Sequence, residues 1–440
     1  MTSTDHRSPA LQVPRQGPRA APAWWRSRPY AVVLAVYLAS RAVSALFIVV
    51  AARAQVAVPP SLSSYHQTVT GQVPARYRDV AVNWDAQWYW DIVLHGYPHS
   101  AVGPDGLPVQ TSLAFYPLYP TVCRVLCQLT GLSFSVVGPT VSLLLGGAAV
   151  VVVYRLVARA VGSDRALFVV VLLCTAMASP VLQIAYTESL GLLLVATALH
   201  LLQRRRYGWA LLAVALLGLT RNITVVLAPV ILLHWAVRVH HARRPVQGAA
   251  AAAGADGGPD AQAAGPVPHG RLALLFLTAL AATAMWPVLV GVIAGDADAY
   301  LTTMKAWPGF TSSPLHPPWV QAFADGGPLA WLLGVLLVLA FALVMSRPAT
   351  RRWGPELWGW TVAYVSYVML TTGATSSIAR YLLLAFPLAL VVVPEAAGPA
   401  QVTRRRVVVV GLVALGLVAQ WFWVREFLVL AGPDFAWLFP

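Results

Sequence analysis

Carboxylates, aromatic rings and a histidine gather in one short stretch of an otherwise apolar chain. The stretch comprises Asn83-Trp84-Asp85-Ala86-Gln87-Trp88-Tyr89-Trp90-Asp91 and His95-Gly96-Tyr97. A carboxylate can accept a proton from a hydroxyl group, and aromatic rings pack well against the flat face of a ligand. The combination predicts a chemically active site, with Asp85 as the candidate general base.

Each of these residues also has a purely structural interpretation. Asp85 belongs to a residue type that is favoured for capping a following helix. Asp91 and His95 are four residues apart, so on a helix they would form either an ordinary surface pair or a pair of substrate contacts. The aromatic candidates for substrate binding would otherwise form an interfacial belt, and they are Trp84, Trp88, Tyr89 and Tyr116.

Three isolated charges stand among the apolar segments that follow. Glu188 lies in Tyr-Thr-Glu-Ser, Arg221 in Thr-Arg-Asn, and Arg380 in Ser-Ser-Ile-Ala-Arg-Tyr. Such charges are expensive near a bilayer and usually functional. Arginine binds phosphate through two parallel hydrogen bonds, so Arg221 and Arg380 are candidates for a phosphate site. Alternatively, the arginines contact lipid headgroups or close helix ends, and Glu188 is only their structural partner.

No metal or cofactor is expected from the motifs. Asp296-Ala297-Asp298 has the form of a metal-binding pair, but its context after Gly295 favours a solvated turn. The chain has no P-loop, dinucleotide-binding glycine pattern or zinc spacing. Its three cysteines, Cys123, Cys127 and Cys174, form no disulfide framework or metal pattern.

The composition assigns these residues to a membrane protein. The 440 residues are 58% hydrophobic and only 10% charged, which is more apolar surface than a soluble protein can bury. Many apolar runs approach the ~20 residues that a helix needs to cross a bilayer. We predict an all-α polytopic fold with about eleven transmembrane helices, at 31–51, 133–155, 166–182, 186–203, 207–220, 222–238, 271–294, 328–346, 357–373, 378–396 and 407–424.

The basic residues predict the orientation of these helices. A net charge of +14 is one sign of nucleic-acid binding, but the arginines cluster at helix ends, as in the positive-inside rule. With the N-terminus in the cytoplasm, 21 of the 30 basic residues fall inside and eight outside, while Arg41 falls within the first span. The chemical candidates then all face the outside, no nucleic-acid partner is expected, and Arg41 needs a partner that the sequence does not name.

The regions outside the spans divide into a tail and three long loops. Residues 1–28 are predicted to be a disordered basic cytoplasmic tail ahead of a transmembrane domain over 29–440. The loop 52–131 is the first outer loop and includes the candidate base. Short interfacial helices are expected there at 83–95 and 113–130, with Pro117 and Pro120 marking the start of the second. The remaining loops are a flexible inner loop at 245–268 and a second long outer loop at 295–327.

The order of these motifs resembles the PIG-V family, the second mannosyltransferases of glycosylphosphatidylinositol-anchor synthesis and their bacterial relatives. The resemblance covers about residues 30 to 395. Its most specific part is Trp84-Asp85-Ala86-Gln87-Trp88-Tyr89, then Ile92, His95-Gly96-Tyr97 and Ala114-Phe115-Tyr116-Pro117-Leu118-Tyr119-Pro120. Tyr186-Thr187-Glu188-Ser189, Thr220-Arg221-Asn222, and Arg380-Tyr381 with Phe386-Pro387 follow in the expected order.

The resemblance implies a C-type glycosyltransferase (GT-C) fold and a polyprenyl-phosphate sugar donor. Asp85 matches the acidic position that the family has in its first outer loop. Arg380 is a candidate for the donor-phosphate position, and Tyr381 beside it is a candidate for substrate binding. The family often has Arg or His before the tryptophan, whereas this chain has Asn83, a departure that bears on contacts with the acceptor.

Residues and resemblance together predict a membrane mannosyltransferase whose active site faces the outside. It would transfer mannose, with inversion, from polyprenyl-phosphate mannose to a glycolipid, glycan or glycoprotein of the cell envelope. Its partners are then the donor, the membrane lipid and that acceptor. The alternatives are a transporter or flippase of lipid-linked sugars, a non-catalytic scaffold with the same fold, and the same enzyme fold with another sugar.

Overall fold

A computed structural model describes residues 27–62, 65–243, 266–307, 318–372, 375–393, 398–432 and 440. The predicted tail at 1–28 and the inner loop at 245–268 therefore lie almost entirely outside the described residues. Of the second outer loop, residues 308–317 are also outside them. The predicted first outer loop is described except for residues 63 and 64.

The described chain is helical throughout, and its only β pairings are the isolated bridges Gln55–Ala431 and Val102–Pro108. The α-helices are α1 Pro29–Ala51, α2 Tyr77–Val80, α3 Asp85–His95, α4 Leu118–Thr130, α5 Phe134–Val161, α6 Ser163–Thr175, α7 Glu188–Gln203, α8 Tyr207–Gly218, α9 Leu227–Arg243, α10 His269–Ala294, α11 Ala299–Lys305, α12 Pro318–Asp325, α13 Gly327–Ser346, α14 Pro348–Arg351, α15 Gly354–Thr371, α16 Ile378–Tyr381, α17 Ala389–Val392 and α18 Pro399–Trp423. Short 3₁₀ turns join several of them.

Within the described residues, six helices are long and apolar enough to cross a membrane. They are Pro29–Ala54, Phe134–Val161, Thr224–Arg243, His269–Ala294, Gly327–Ser346 and Ala400–Leu428. The prediction of an all-α polytopic membrane protein is confirmed. The two interfacial helices expected in the first outer loop correspond to α3 and α4, and Pro117 directly precedes α4.

Among the described residues, the other five predicted spans correspond to helices that are shorter, interrupted or less apolar. Glu188–Gln203, Tyr207–Gly218 and Ile378–Val392 are apolar but short, and Gly354–Thr371 does not reach the apolar character of the six. The remaining one, predicted at 166–182, stops at Thr175. Ala176 has an extended backbone with a ψ of 150°, and the chain turns again only as a 3₁₀ turn over Ser179–Gln183, which has Pro180 near its start.

The interruption after α6 supplies the partners that Arg41 requires. The guanidinium of Arg41 is buried and donates to the carbonyl oxygen of Cys174 at 2.9 Å, to the Ser179 hydroxyl at 3.0 Å and to the Ser179 carbonyl. Carbonyls at a helix end have no partner within the helix, so they can accept from a side chain instead. Arg41 therefore stabilises the junction between α1 and the end of α6.

The core is built around α5, which packs against α6 and α7, while α1 covers α5 and α6. Tyr37 of α1 donates from its hydroxyl to the carbonyl of Leu143 at 2.8 Å. Gly146 permits this close approach, because a Cβ at that position would lie only 2.3 Å from the Tyr37 hydroxyl. Small residues at such contacts let membrane helices approach one another, and here they bring the interrupted 176–187 segment beside α3.

Candidate functional site

A strained turn at Trp84 places Asp85 at the start of α3. Trp84 has a φ of 59° and a ψ of −121°, backbone values that normally require glycine. The turn is held in place because the Trp84 amide donates to the Tyr65 hydroxyl at 3.2 Å and its indole N–H donates to the Leu428 carbonyl at 3.2 Å. Trp84 is thus the capping residue and Asp85 the first helical residue, so the capping interpretation of Asp85 is wrong.

The four charges singled out from the sequence meet in one network. Arg380 Nη1 donates to Asp85 Oδ2 at 2.5 Å and lies 3.5 Å from Glu188 Oε1. Glu188 Oε1 also accepts from Arg221 Nη1 at 2.9 Å. The Glu188 side chain is 1% exposed and the Asp85 side chain 26%, so Asp85 is the carboxylate that a ligand can reach.

Each member of this four-charge network comes from a helix end or an interrupted segment. Glu188 is the first residue of α7, where the positive end of the helix dipole favours a carboxylate. Arg221 follows α8, and Arg380 lies in the short helix α16. A Cβ at Gly191 would lie 3.1 Å from Arg221 Cδ, so the side chain of Arg221 lies directly across α7. Helix ends therefore direct all four side chains to one point.

Two tyrosines pack against the guanidinium groups. The Tyr381 ring lies 5.4 Å from the guanidinium carbon of Arg221 and 5.4 Å from that of Arg380, so it packs near both charges. The Tyr186 ring lies 5.1 Å from the guanidinium carbon of Arg380. Among the described residues, the buried Tyr186 hydroxyl has no hydrogen-bond partner. Tyr186 belongs to the same sequence motif as Glu188, two positions before it, but the sequence did not identify it as a site residue.

Tyr89 joins the network through a threonine. Its hydroxyl lies 3.2 Å from Thr187 Oγ1, to which Arg221 Nη1 donates at 3.3 Å. Tyr89 is buried and packs edge-on against Phe115 at 5.1 Å between ring centroids. Its position fits a side chain that holds Arg221 in place.

Trp88 belongs to an aromatic stack on a neighbouring face of α3. Its ring lies 3.5 Å from that of His66, at an interplanar angle of 11°, and 5.7 Å from Phe115. Burial lowers the pKa of His66, an effect that the charge of Asp91 partly opposes. His66 lies in the polar part of the first loop, where no motif identified it, so sequence reasoning missed it.

Three predicted site residues make their contacts elsewhere. Asp91 Oδ1 and His95 Nδ1 are 2.8 Å apart, and the His95 side chain is 67% exposed, which favours the surface-pair interpretation. Tyr116 is buried between Trp286 and Tyr300, with the two tyrosine hydroxyls 3.5 Å apart. The hydrogen bonds and ring contacts described for these three residues therefore involve side chains other than the four charges.

The described residues contain no group of three or more His, Cys, Asp or Glu side chains that could hold a metal. Asp296 accepts from the Asp298 amide at 2.9 Å, and both side chains are exposed. This geometry is the solvated turn that the sequence favoured. Metal independence itself stays a prediction.

Comparisons with known proteins found similar solved structures only. No family model matches it, and no curated protein does either. The PIG-V resemblance therefore rests on its motifs alone.

Two similar solved structures are an archaeal oligosaccharyltransferase and ArnT. The first is AglB from Archaeoglobus fulgidus, in complex with an inhibitory peptide and a dolichol-phosphate, at 12% identity and a TM-score of 0.49. The match covers 94% of this chain but only 57% of that one. The second is ArnT from Cupriavidus metallidurans bound to undecaprenyl phosphate, at 14% identity and a TM-score of 0.47, covering 90% and 76%. A likeness at this level identifies neither an activity nor a substrate.

Proposed function

We propose that this chain is a membrane glycosyltransferase of the GT-C type that transfers mannose from polyprenyl-phosphate mannose to an envelope glycolipid, glycan or glycoprotein. The reaction inverts the configuration at the sugar, and Asp85 is the base. The PIG-V-like order of the motifs supports the choice of sugar and donor. The arginine distribution supports a cytoplasmic N-terminus and an active site on the outer face.

The observation that supports this function best is the direct contact between Asp85 and Arg380. Transfer from a lipid phosphosugar requires a base for the incoming hydroxyl and positive charge for the departing phosphate. Asp85 Oδ2 and Arg380 Nη1 are 2.5 Å apart, so these two requirements are met at adjacent points. Arg221 lies on the far side of the shared Glu188 and provides a second guanidinium.

The same contact suggests how donor binding prepares the base. Without the donor, the Asp85 carboxylate is bonded to Arg380 and not to an acceptor hydroxyl. The donor phosphate competes with Asp85 for Arg380, and Asp85 is then free to face the acceptor hydroxyl. The acceptor oxygen bonds to the sugar C1, the bond from C1 to the phosphate oxygen breaks, and the hydroxyl proton passes to Asp85.

Glu188 has a different part in this scheme. Its carboxylate is almost fully buried and contacts both Arg221 and Arg380. A buried carboxylate between two guanidinium groups is held in its charged form and is not accessible to an acceptor. Glu188 is therefore the residue that positions the two arginines.

A second candidate is a transporter or flippase of lipid-linked sugars. The interrupted segment before α7 and the broken helix over Ile378–Val392 favour it, because transporters build substrate sites from such segments. A transporter moves the lipid-linked sugar without breaking the glycosidic bond. The formation of a new glycosidic product separates the two functions, and donors with other sugars test the choice of mannose.

The test is mannose transfer from radiolabelled polyprenyl-phosphate mannose in membranes that contain the wild type or Asp85→Asn. The matched control is Asp91→Asn, which removes the same charge from a position of similar exposure on the same helix. We expect label in a new lipid or glycan with the wild type and the control only. Equal labelling with Asp85→Asn, or label that stays in the donor with all three proteins, would contradict the proposal.

A further inference from the structure

A polar cleft is lined by residues that precede α3 and by one side of α3 itself. It has a volume of about 230 Å³ and lies between residues 55–73, the α2–α3 region and the residues that begin α5. This α2–α3 cleft is below the range of ~300–1,000 Å³ that is usual for drug-sized ligands. Its volume suits a single ring-sized ligand.

The side chains that line the cleft have no net charge. Its two charged side chains, Arg78 and Asp79, lie 3.9 Å from each other. Its other polar side chains are amides and hydroxyls, which both donate and accept hydrogen bonds, and they include Gln67, Gln72 and Ser133. An anionic ligand would need positive charge that Asp79 does not offset. Aliphatic side chains also line the cleft, among them Val58, Val82 and Leu430, but a lipid chain would leave the amides and hydroxyls beside them without partners. A sugar ring has both hydroxyl groups and apolar C–H faces. The lining fits a neutral ligand with many hydroxyl groups.

Two features of the cleft point to a ligand more directly. Among the described residues, Gln67 Oε1 is buried without a hydrogen-bond partner, and buried acceptors are almost always paired in native proteins. Trp90 also lines the cleft and is only half-buried, packing against Phe134 at 5.7 Å. An unpaired acceptor near a partly exposed tryptophan is a suitable setting for a sugar ring.

The cleft is close to the proposed base along the chain. Asn83 lines it, and Asp85 follows two residues later, so their Cα atoms are at most about 7 Å apart. The side-chain amide of Asn83 donates to Gln55, and that of Gln87 donates to the Val82 carbonyl. These two amides are therefore held in place and form a rigid part of the lining. Tyr65 lines the cleft and also accepts from the Trp84 amide. A ligand bound here therefore contacts residues on both sides of Asp85 in the chain, Asn83 before it and Gln87 after it.

We propose that the α2–α3 cleft is a carbohydrate-binding subsite that holds one neutral sugar residue of the acceptor, through Gln67, Gln72 and the Trp90 ring. The assignment to the acceptor rests on the proposed transferase function. The binding of a neutral sugar by the cleft does not rest on that function, because it depends only on the residues that line the cleft.

Binding is tested by saturation-transfer NMR of the full-length protein in detergent, with methyl mannoside as the probe. The variants are Gln67→Leu, which keeps the side-chain volume, and Gln72→Ala. Gln128→Ala is the matched control, because Gln128 is exposed on α4 outside the cleft. We expect each cleft variant to weaken binding about fivefold, as for a lost hydrogen bond, and the control to bind as the wild type does.

A structural role for Gln67 predicts a different result. Removal of an unpaired buried acceptor should leave the melting temperature unchanged or raise it, whereas removal of a structural hydrogen bond should lower it. A lower melting temperature with unchanged sugar binding would overturn the proposal. So would the absence of saturation transfer to the wild type, or binding that persists in the cleft variants and disappears in Asp85→Asn.

Parallel transfer assays separate this subsite from the proposed function. A higher KM for the acceptor with an unchanged kcat in the cleft variants supports the subsite as an acceptor site. Transfer with no sugar binding in the cleft overturns the subsite and leaves the function intact. Sugar binding in the cleft with no transfer by the wild type overturns the function and the assignment to an acceptor, and supports the cleft as a saccharide site.

Discussion

The two carboxylates that contact Arg380 should respond to neutralisation in opposite ways. Asp85→Asn and Glu188→Gln each remove one negative charge and keep the shape of the side chain. Asp85 is 26% exposed and contacts one guanidinium, whereas Glu188 is 1% exposed and contacts two. The proposed roles assign chemistry to Asp85 and positioning to Glu188.

The magnitudes follow from burial. A partly exposed ion pair contributes about 0–1 kcal/mol, and Arg380 would keep Glu188 in the Asp85→Asn variant, so the cost in the free energy of unfolding is small. Breaking a buried pair costs about 3–5 kcal/mol, because the remaining charge is uncompensated. In Glu188→Gln, Arg221 loses its carboxylate partner and Arg380 retains only Asp85, so the loss of stability is large.

The assay combines thermal unfolding of the detergent-solubilised protein with mannose transfer per folded molecule at low temperature. We expect Asp85→Asn to melt near the wild type and to lose transfer. Glu188→Gln is expected to melt well below the wild type and to retain part of its transfer while folded, with a raised KM for the donor. Transfer by Asp85→Asn at the wild-type rate would refute its role as base, and a wild-type melting temperature for Glu188→Gln would refute the energetic argument.

Three further predictions concern neighbouring parts of the molecule. Gly191→Ala brings a Cβ within 3.1 Å of Arg221 Cδ, so Arg221 must shift by a few tenths of an ångström. We expect a higher KM for the donor with little change in melting temperature. An unchanged KM would contradict the phosphate role of Arg221. Arg41→Gln leaves the buried carbonyls of Cys174 and Ser179 without their charged donor. It should lower the free energy of unfolding by about 1–3 kcal/mol, while transfer per folded molecule stays normal. A wild-type melting curve would contradict the proposed stabilising role of Arg41. Because the departing phosphate already has its charge, transfer should continue in the presence of a chelator; loss of activity that manganese restores would show that a metal is needed.

Several features of the site were predictable because they depend on local sequence. The helix at 83–95 and the start of α4 after Pro117 follow from residue types and proline chemistry within a few positions. Glu188, Arg221 and Arg380 stood out as candidates because single charges are conspicuous among apolar residues. The roles of Trp84 and Tyr186 were harder to see, since backbone strain and an unpaired hydroxyl are properties of a folded environment.

The sequence by itself determined the fold class and the regions where chemistry is possible, because apolar run length and isolated charge are local properties that the bilayer selects directly. Only the tertiary structure decided which charges meet. Asp85 and Arg380 are 295 positions apart, and Arg41 reaches carbonyls 133 and 138 positions away. Such contacts depend on how helix ends and interrupted segments pack in three dimensions, and no spacing along the chain encodes them.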